Sequence, residues 1–331
     1  MSRIDVSNNA AAPAALQLSH HESSCSAILR EYLAILLQET GLHAAARNLR
    51  ARPLRKFAGP ATTANSDASL RFAADAEPPS TPAQRPFSTA AGIMPSLIVD
   101  SDTERHLQFS PDALQSRMRL DDPYALIAPY TRQMMSFLLF NPDPADILMI
   151  GLGGGSLAKF CYRHLPNARI TVIEIDARVI ALRDSFYVPA DDDRFRVIHD
   201  DGVKYLARLQ DRFDAILVDA YDETGVAPSL AAENFFPDAA RSLKPDGVLI
   251  MNLHGDPEIF TTHLKEVRIP FNGRALLVSV ASGDNALLCT FGANATPPCA
   301  RHLFLRARYL QSKLNLHFRS YLQRMRDGIT L

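Results

Sequence analysis

Apolar positions are spread unevenly along the 331-residue chain. From residue 141 onward, short apolar runs bounded by turn residues alternate with stretches in which apolar residues recur every three to four positions. The runs 147–151, 170–174, 196–199, 215–219 and 248–252 predict strands, and the intervening stretches predict helices. That alternation belongs to a parallel sheet covered by helices on both faces. Two last runs, ALLVSVA and NALLCTF, are joined by SGD and predict an antiparallel hairpin closing one sheet edge. The expected fold class is therefore α/β: a Rossmann-like, seven-stranded, mostly parallel sheet over residues 141–296.

The flanks read differently. Residues 1–93 contain tracts such as NNAAAPAA and AEPPSTPAQRP that lack the apolar periodicity needed for a core, which predicts a largely disordered extension. Within it, Ile28, Leu29, Tyr32, Leu33, Leu36 and Leu37 recur at helical spacing and predict one amphipathic helix over about 24–48, with Gly41 as a break. Residues 94–140 predict a small β/α cap: short extended runs, then a helix in PYALIAPYTRQMMSFLLF. Met94 is a second candidate start of the functional unit. Residues 297–331 predict one basic amphipathic helix, with Leu303, Tyr309, Leu310, Leu314, Phe318, Tyr321 and Leu322 on its apolar face. Arg306, Lys313, Arg319, Arg324 and Arg326 are expected to stay solvated.

Composition narrows the function classes. Lys and Arg number 35 against 36 Asp and Glu, a formal net charge of -1, so no global basic field points to nucleic acid as a partner. The four cysteines, Cys25, Cys161, Cys289 and Cys299, are widely separated and form neither a zinc ribbon nor a dense disulfide framework. No apolar run has the length of a bilayer span, and the amino-terminal residues lack a signal-peptide pattern. A cytoplasmic protein without a membrane partner is expected. The histidines, including the His20–His21 doublet, lack ligand spacing with acids or cysteines, so no metal is expected.

The chemistry concentrates at the carboxyl ends of the expected strands, where parallel sheets place ligands. The first strand runs into GLGGGS. Gly151, Gly153, Gly154 and Gly155 would let backbone N–H groups approach a nucleotide-like ligand closely, although Ser156 stands where a dinucleotide fingerprint has its third glycine. Glu174 ends the second strand about 20 residues past the turn, where an acid accepts hydrogen bonds from ribose hydroxyls. The third strand leads into HDDG, where Asp201 reads as an acceptor for an adenine amine, as the cap of the next helix, or as both at once, and Gly202 would let a base lie against the backbone. Asp219 ends the fourth strand, and Asp222 and Glu223 follow. Three acids around one crevice suit a cationic substrate or removal of a proton from a nucleophile, and the last two also suit an ordinary turn.

Together, ILMIGLGGGS, VIEID, HDDG, VDAYDETGVAP and LKPDGVLIMN resemble the motifs of the spermidine synthase (polyamine aminopropyltransferase) family, which has the class I S-adenosylmethionine methyltransferase fold. The resemblance covers roughly residues 95–292. LQFSPDALQSRM is similar to the family's amino-terminal β segment and supplies Gln115 and Ser116. The resemblance implies a transferase that binds decarboxylated S-adenosylmethionine and moves its aminopropyl group to a small-molecule amine. It also implies Asp219 as the base, Asp222 as an amine anchor, Tyr130 as a retained site residue and a homodimer.

Two departures from the family pattern bear on specificity. Ser156 stands where the family's glycine motif carries an aspartate for the aminopropyl ammonium. Serine would tolerate the carboxylate of S-adenosylmethionine itself, which an aspartate would repel. In YTRQM, Thr131 and Arg132 occupy the family's histidine and glutamate positions, and a cation there would disfavour a second ammonium group on the acceptor. Three readings follow: an aminopropyltransferase, an S-adenosylmethionine-dependent methyltransferase or related alkyl transferase, and a non-catalytic nucleoside-binding protein. Asp219 favours an enzyme.

Overall fold

A computed structural model describes residues 98–110, 113–222, 225–226, 230, 234–254, 263–282, 285–296 and 298–331. The expected helix at 24–48 lies outside them. The first described element is an antiparallel meander of β1 (Ile98–Asp100), β2 (Glu104–Ser110) and β3 (Ala113–Arg119). Its inner face sets Leu107 and Met118 into the core. Arg105 ties it to the main body by donating to the Ser185 carbonyl at 2.7 Å while pairing with Asp100.

The expected helix after the meander is shorter and changes pitch. α1 (Pro129–Met134) carries proline in its first turn, where a missing N–H costs nothing, and passes directly into a 3₁₀ turn at Met135–Leu139. Every residue of that turn is buried.

The main sheet follows: β4 (Asp146–Ile150), α2 (Ser156–His164), β5 (Arg169–Glu174), α3 (Ala177–Ala181), β6 (Phe195–His199), α4 (Gly202–Leu206) and β7 (Phe213–Val218). A two-residue hairpin, β8 (Tyr221–Asp222) and β9 (Gly225–Val226), occupies what reads in the sequence as a loop. Then come α5 (Phe235–Ser242), β10 (Leu243–His254), β11 (Ala275–Ser279) and β12 (Asn285–Phe291). The spatial order is β11-β12-β10-β7-β4-β5-β6, with β12 antiparallel to both neighbours and the β10-β7-β4-β5-β6 pairings parallel. This is the expected class I methyltransferase-type sheet. A two-residue strand, β13 (Ile329–Thr330), adds itself to the β11 edge.

Strands β4 and β7 are apolar because both sheet faces are covered, and all five residues of β4 are buried. Two packed clusters result. One contains Ile147, Met149 and Leu217 beside Met135, Phe137 and the carboxyl-terminal helices; the other contains Leu148, Ile150 and Ile216 beside Phe235 and Phe236.

The single helix expected over 297–331 is instead a helical hairpin, α6 (Ala300–Leu314) and α7 (Phe318–Arg326). Asn315 adopts left-handed backbone angles, φ 52° and ψ 38°, and ends α6. The bend lets Leu310, Leu314, Phe318 and Tyr321 all reach the core, while Tyr309, expected on the apolar face, is 60 % exposed. Arg306, expected to stay solvated, turns inward and donates to the carbonyls of Leu139 and Phe140 at 2.6 and 2.8 Å, satisfying the end of the 3₁₀ turn.

Lys159 on α2 is fully buried, and its ammonium donates to the Phe186 carbonyl at 2.7 Å. Burial holds its pKa down at about 7. Because the folded-state value lies below the unfolded one, the unfolded chain binds the extra proton between about pH 7 and 10.5, so stability rises with pH across that window. Replacement by methionine should remove this component. Wild-type stability in urea should climb by a few kcal/mol more than that of Lys159→Met between pH 7 and pH 10, and parallel stability curves would contradict this.

Candidate active site

The sheet ladder continues beyond the strand ends and holds four strand tips level. Gly151 N–H donates to the Ile173 carbonyl at 2.9 Å, Asp219 N–H to the Ile150 carbonyl at 2.9 Å, and Asp200 N–H to the Glu174 carbonyl at 3.2 Å. Gly151 has φ 96°, and a Cβ there would lie 2.2 Å from the Asp219 carbonyl oxygen. Close approach of a neighbouring strand therefore demands this glycine before any ligand does. Gly202 is similar: its absent Cβ would lie 2.6 Å from Ile150 Cγ2, so it lets α4 sit closely on the end of β4.

The rest of the turn is packed from above. Gly154 faces Ser116 of β3 and Phe186, and Gly155 faces Val188. The meander thus brings Ser116 to the glycine turn, with Gln115 preceding it on β3. Ser156 is the first residue of α2, whose first turn contains no acidic residue.

Glu174 is buried, and its carboxylate organises the turn. Oε2 accepts from Leu152 N–H at 2.8 Å and Oε1 from Asp176 N–H at 2.9 Å. Asp201 caps α4, with Oδ1 accepting from Val203 N–H at 2.9 Å.

Asp219, Tyr130 and Asn252 converge on one point. Tyr130 Oη donates to Asp219 Oδ2 at 3.1 Å, and Asn252 Nδ2 donates to Oδ1 at 2.9 Å. Burial raises the Asp219 pKa above the usual carboxylate value, and these two hydrogen bonds, with the nearby His254, only partly offset it. Burial and the Asp219 charge likewise push the Tyr130 hydroxyl well up, so it remains a donor at neutral pH. Tyr221 is raised mainly by burial.

Arg132, expected to project a cation toward the acceptor, does not act on this cluster. Its guanidinium donates to the Leu126 carbonyl at 2.7 Å and to that of Ile127, and its charge bears on Tyr321 of α7. The neighbouring cation that bears on Tyr130 is Arg117 of β3. The backbone of Asp222 pairs with Gly225 in the small hairpin, and Glu223 lies outside the described residues.

The structure therefore gathers Tyr130, Gly151, Glu174 and Asp219 at the strand tips, with Gln115 on the meander above and Asp201 one strand outward. Sequence reasoning passed over Asn252 and Tyr221. Asn252 carried a usable signal, being a polar residue near the end of an otherwise apolar strand, and it is 3 % exposed. Among the described residues no group of three or more His, Cys, Asp or Glu could hold a metal ion, and no helix is long and apolar enough to cross a membrane.

A parallel sheet with a glycine turn, a second-strand acid and a fourth-strand carboxylate defines an α/β protein of the class I methyltransferase type. The fold is shared with a probable spermidine synthase from Corynebacterium glutamicum, with a TM-score of 0.52 and 19 % identity, covering 65 % of this chain and 82 % of that one. It is also shared with human methyltransferase-like protein 13 in complex with SAH, with a TM-score of 0.52 and 24 % identity, covering 57 % and 93 %. The spermine/spermidine synthase domain model matches residues 128–269. A polyamine aminopropyltransferase of Chromobacterium violaceum is 33 % identical over 248 residues, spanning 74 % of this chain and 95 % of its own. One from Neisseria meningitidis serogroup A is 33 % identical over 216 residues, spanning 65 % and 82 %. The chain belongs to the spermine/spermidine synthase family.

Gly151→Ala should separate the tips of β4 and β7. It is expected to destabilise the fold by more than about 2 kcal/mol, read by thermal denaturation. A variant with unchanged melting would contradict the close approach described here.

Proposed function

We propose that the protein transfers an aminopropyl group from decarboxylated S-adenosylmethionine to an amine acceptor in polyamine biosynthesis. The observation that carries this reading is the Asp219 carboxylate, enclosed beside the glycine turn, raised in pKa and oriented by two donors. The relatives named polyamine aminopropyltransferase support it.

An amine reaches the crevice protonated and without a nucleophilic lone pair. Asp219 accepts that proton, and its raised pKa makes it a stronger base than an exposed carboxylate. The freed lone pair attacks the methylene carbon next to the sulfonium. A C–N bond forms as the C–S bond breaks, and the bonding pair leaves on sulfur as methylthioadenosine. Tyr130, as donor to Oδ2, keeps the carboxylate in register with the incoming nitrogen. Asp222 serves as the anchor for the acceptor's distal ammonium, offsetting repulsion between two cationic reactants.

The donor's adenosyl half is assigned to the turn. Each Glu174 oxygen keeps a lone pair beyond the one engaged by backbone N–H, available to the ribose hydroxyls. Asp201 keeps Oδ2 for the adenine amine while Oδ1 caps the helix. Gly153, Gly154 and Gly155 with Gln115 line the remainder. Ser156 leaves the start of α2 without an acidic side chain, so the donor site also accepts the carboxylate of S-adenosylmethionine.

Asp219→Asn keeps the shape and removes the base. The expected loss in kcat is on the order of 10²–10⁴ with methylthioadenosine affinity retained, and near-wild-type turnover would overturn the assignment. Calorimetry of both donor forms against wild type and Ser156→Asp tests donor choice. Wild type should bind the two forms within about tenfold of each other, and Ser156→Asp should favour the decarboxylated form by at least about tenfold more, the scale of one charge-assisted contact. Identical donor ratios in the two proteins would sink the role given to Ser156.

A further inference from the structure

We infer that Asn285, on the closing hairpin, is a positioning residue for Asp219, acting through the side chain of Asn252. The inference rests on the reading of Asp219 as the base.

Asn252 lies near the end of β10 and is 3 % exposed. Its Nδ2 donates to Asp219 Oδ1 at 2.9 Å, and its Oδ1 accepts from Asn285 Nδ2 at 2.9 Å. Asn285 opens β12, the strand antiparallel to β10, where it stands opposite His254. Tyr221 Oη donates to the Asn252 carbonyl at 2.7 Å and fixes the backbone beneath the pair. The chain of donors therefore runs Asn285 to Asn252 to Asp219.

Its direction is set by chemistry. An ionised carboxylate only accepts, so Asn252 must present its NH₂ group to Asp219. Its amide oxygen then faces the other way, buried, and needs a donor. Asn285 supplies one and so holds the Asn252 amide in the orientation that supports the base. An acceptor at position 285 would favour the reversed amide, which turns an oxygen toward the carboxylate, and a negative charge there would act in the same sense. Either change penalises the ionised form of Asp219.

The test compares wild type, Asn285→Leu and Asn285→Asp for kcat/KM of the decarboxylated donor at saturating amine, across pH. Asn285→Leu removes the donor at similar volume, and its kcat/KM near neutral pH should fall roughly 2–10-fold, the scale of one neutral hydrogen bond. Asn285→Asp should fall at least about tenfold further. In both, the acid limb of the profile should move to higher pH, by about half a unit or more in the first and further in the second. A merely structural role would lower the melting temperature and leave the acid limb where it is in wild type, and that result would overturn the inference. Should either variant fail to fold by circular dichroism, Asn285→Ala, a smaller side chain with no donor, replaces it with the same expected direction. A wild type that transfers nothing to any amine defeats the reading of Asp219 and this inference with it; an active wild type with unmoved variants defeats the inference alone.

Discussion

The site depends on one close approach, the contact between Gly151 and the carbonyl of Asp219. A side chain at 151 would meet that carbonyl at 2.2 Å, so only glycine allows the tips of β4 and β7 to sit side by side. From this contact the geometry follows. Gly151 N–H reaches back to Ile173, Asp219 N–H reaches back to Ile150, and the strand tips become one rigid rim. The glycine turn and the Asp219 carboxylate cannot move apart without breaking the ladder that joins them. Proximity of that kind, set before substrate arrives, is the cheapest source of rate enhancement for a reaction between two cations.

A second constraint works from above. Phe186 and Val188 press on the turn at Gly154 and Gly155, Lys159 holds the Phe186 carbonyl from inside the core, and Arg105 ties the meander to Ser185. The meander and the sheet thus close on the same few residues. The polar groups of the rim are engaged with one another: Glu174 with Leu152 and Asp176, Asp201 with Val203, Asp219 with Tyr130 and Asn252. Each carboxylate is a structural acceptor that keeps further lone pairs beyond those engaged. Among the described residues no salt bridge neutralises these acids, and a cation paired with Asp219 would lower its pKa.

Much of this was legible in the sequence because it is local. Five apolar runs, one glycine turn and acids at strand ends follow from period and punctuation, and they were read at nearly the observed boundaries. What was not legible is tertiary. The reason for Gly202 is a contact with Ile150 of another strand. The helix expected over 297–331 breaks at Asn315, a residue that tolerates left-handed backbone angles and whose cost is repaid by seating both halves on the core. Arg306 and Arg132 read as solvated or site-facing cations, yet Arg306 is consumed by carbonyls at the end of the 3₁₀ turn and Arg132 by carbonyls of the segment leading into α1. Asn252 stood out as a polar residue in an apolar strand, but its neighbours do not announce which strand tip it faces.

The central claim is that this rim moves an aminopropyl group. The most direct measurement incubates the purified chain with decarboxylated S-adenosylmethionine and a panel of diamines and polyamines, and follows both products by mass spectrometry. Methylthioadenosine release should be matched one to one by an acceptor lengthened by one aminopropyl unit. Methylthioadenosine without a lengthened amine, or a methylated acceptor formed from S-adenosylmethionine with no aminopropyl product, would contradict it.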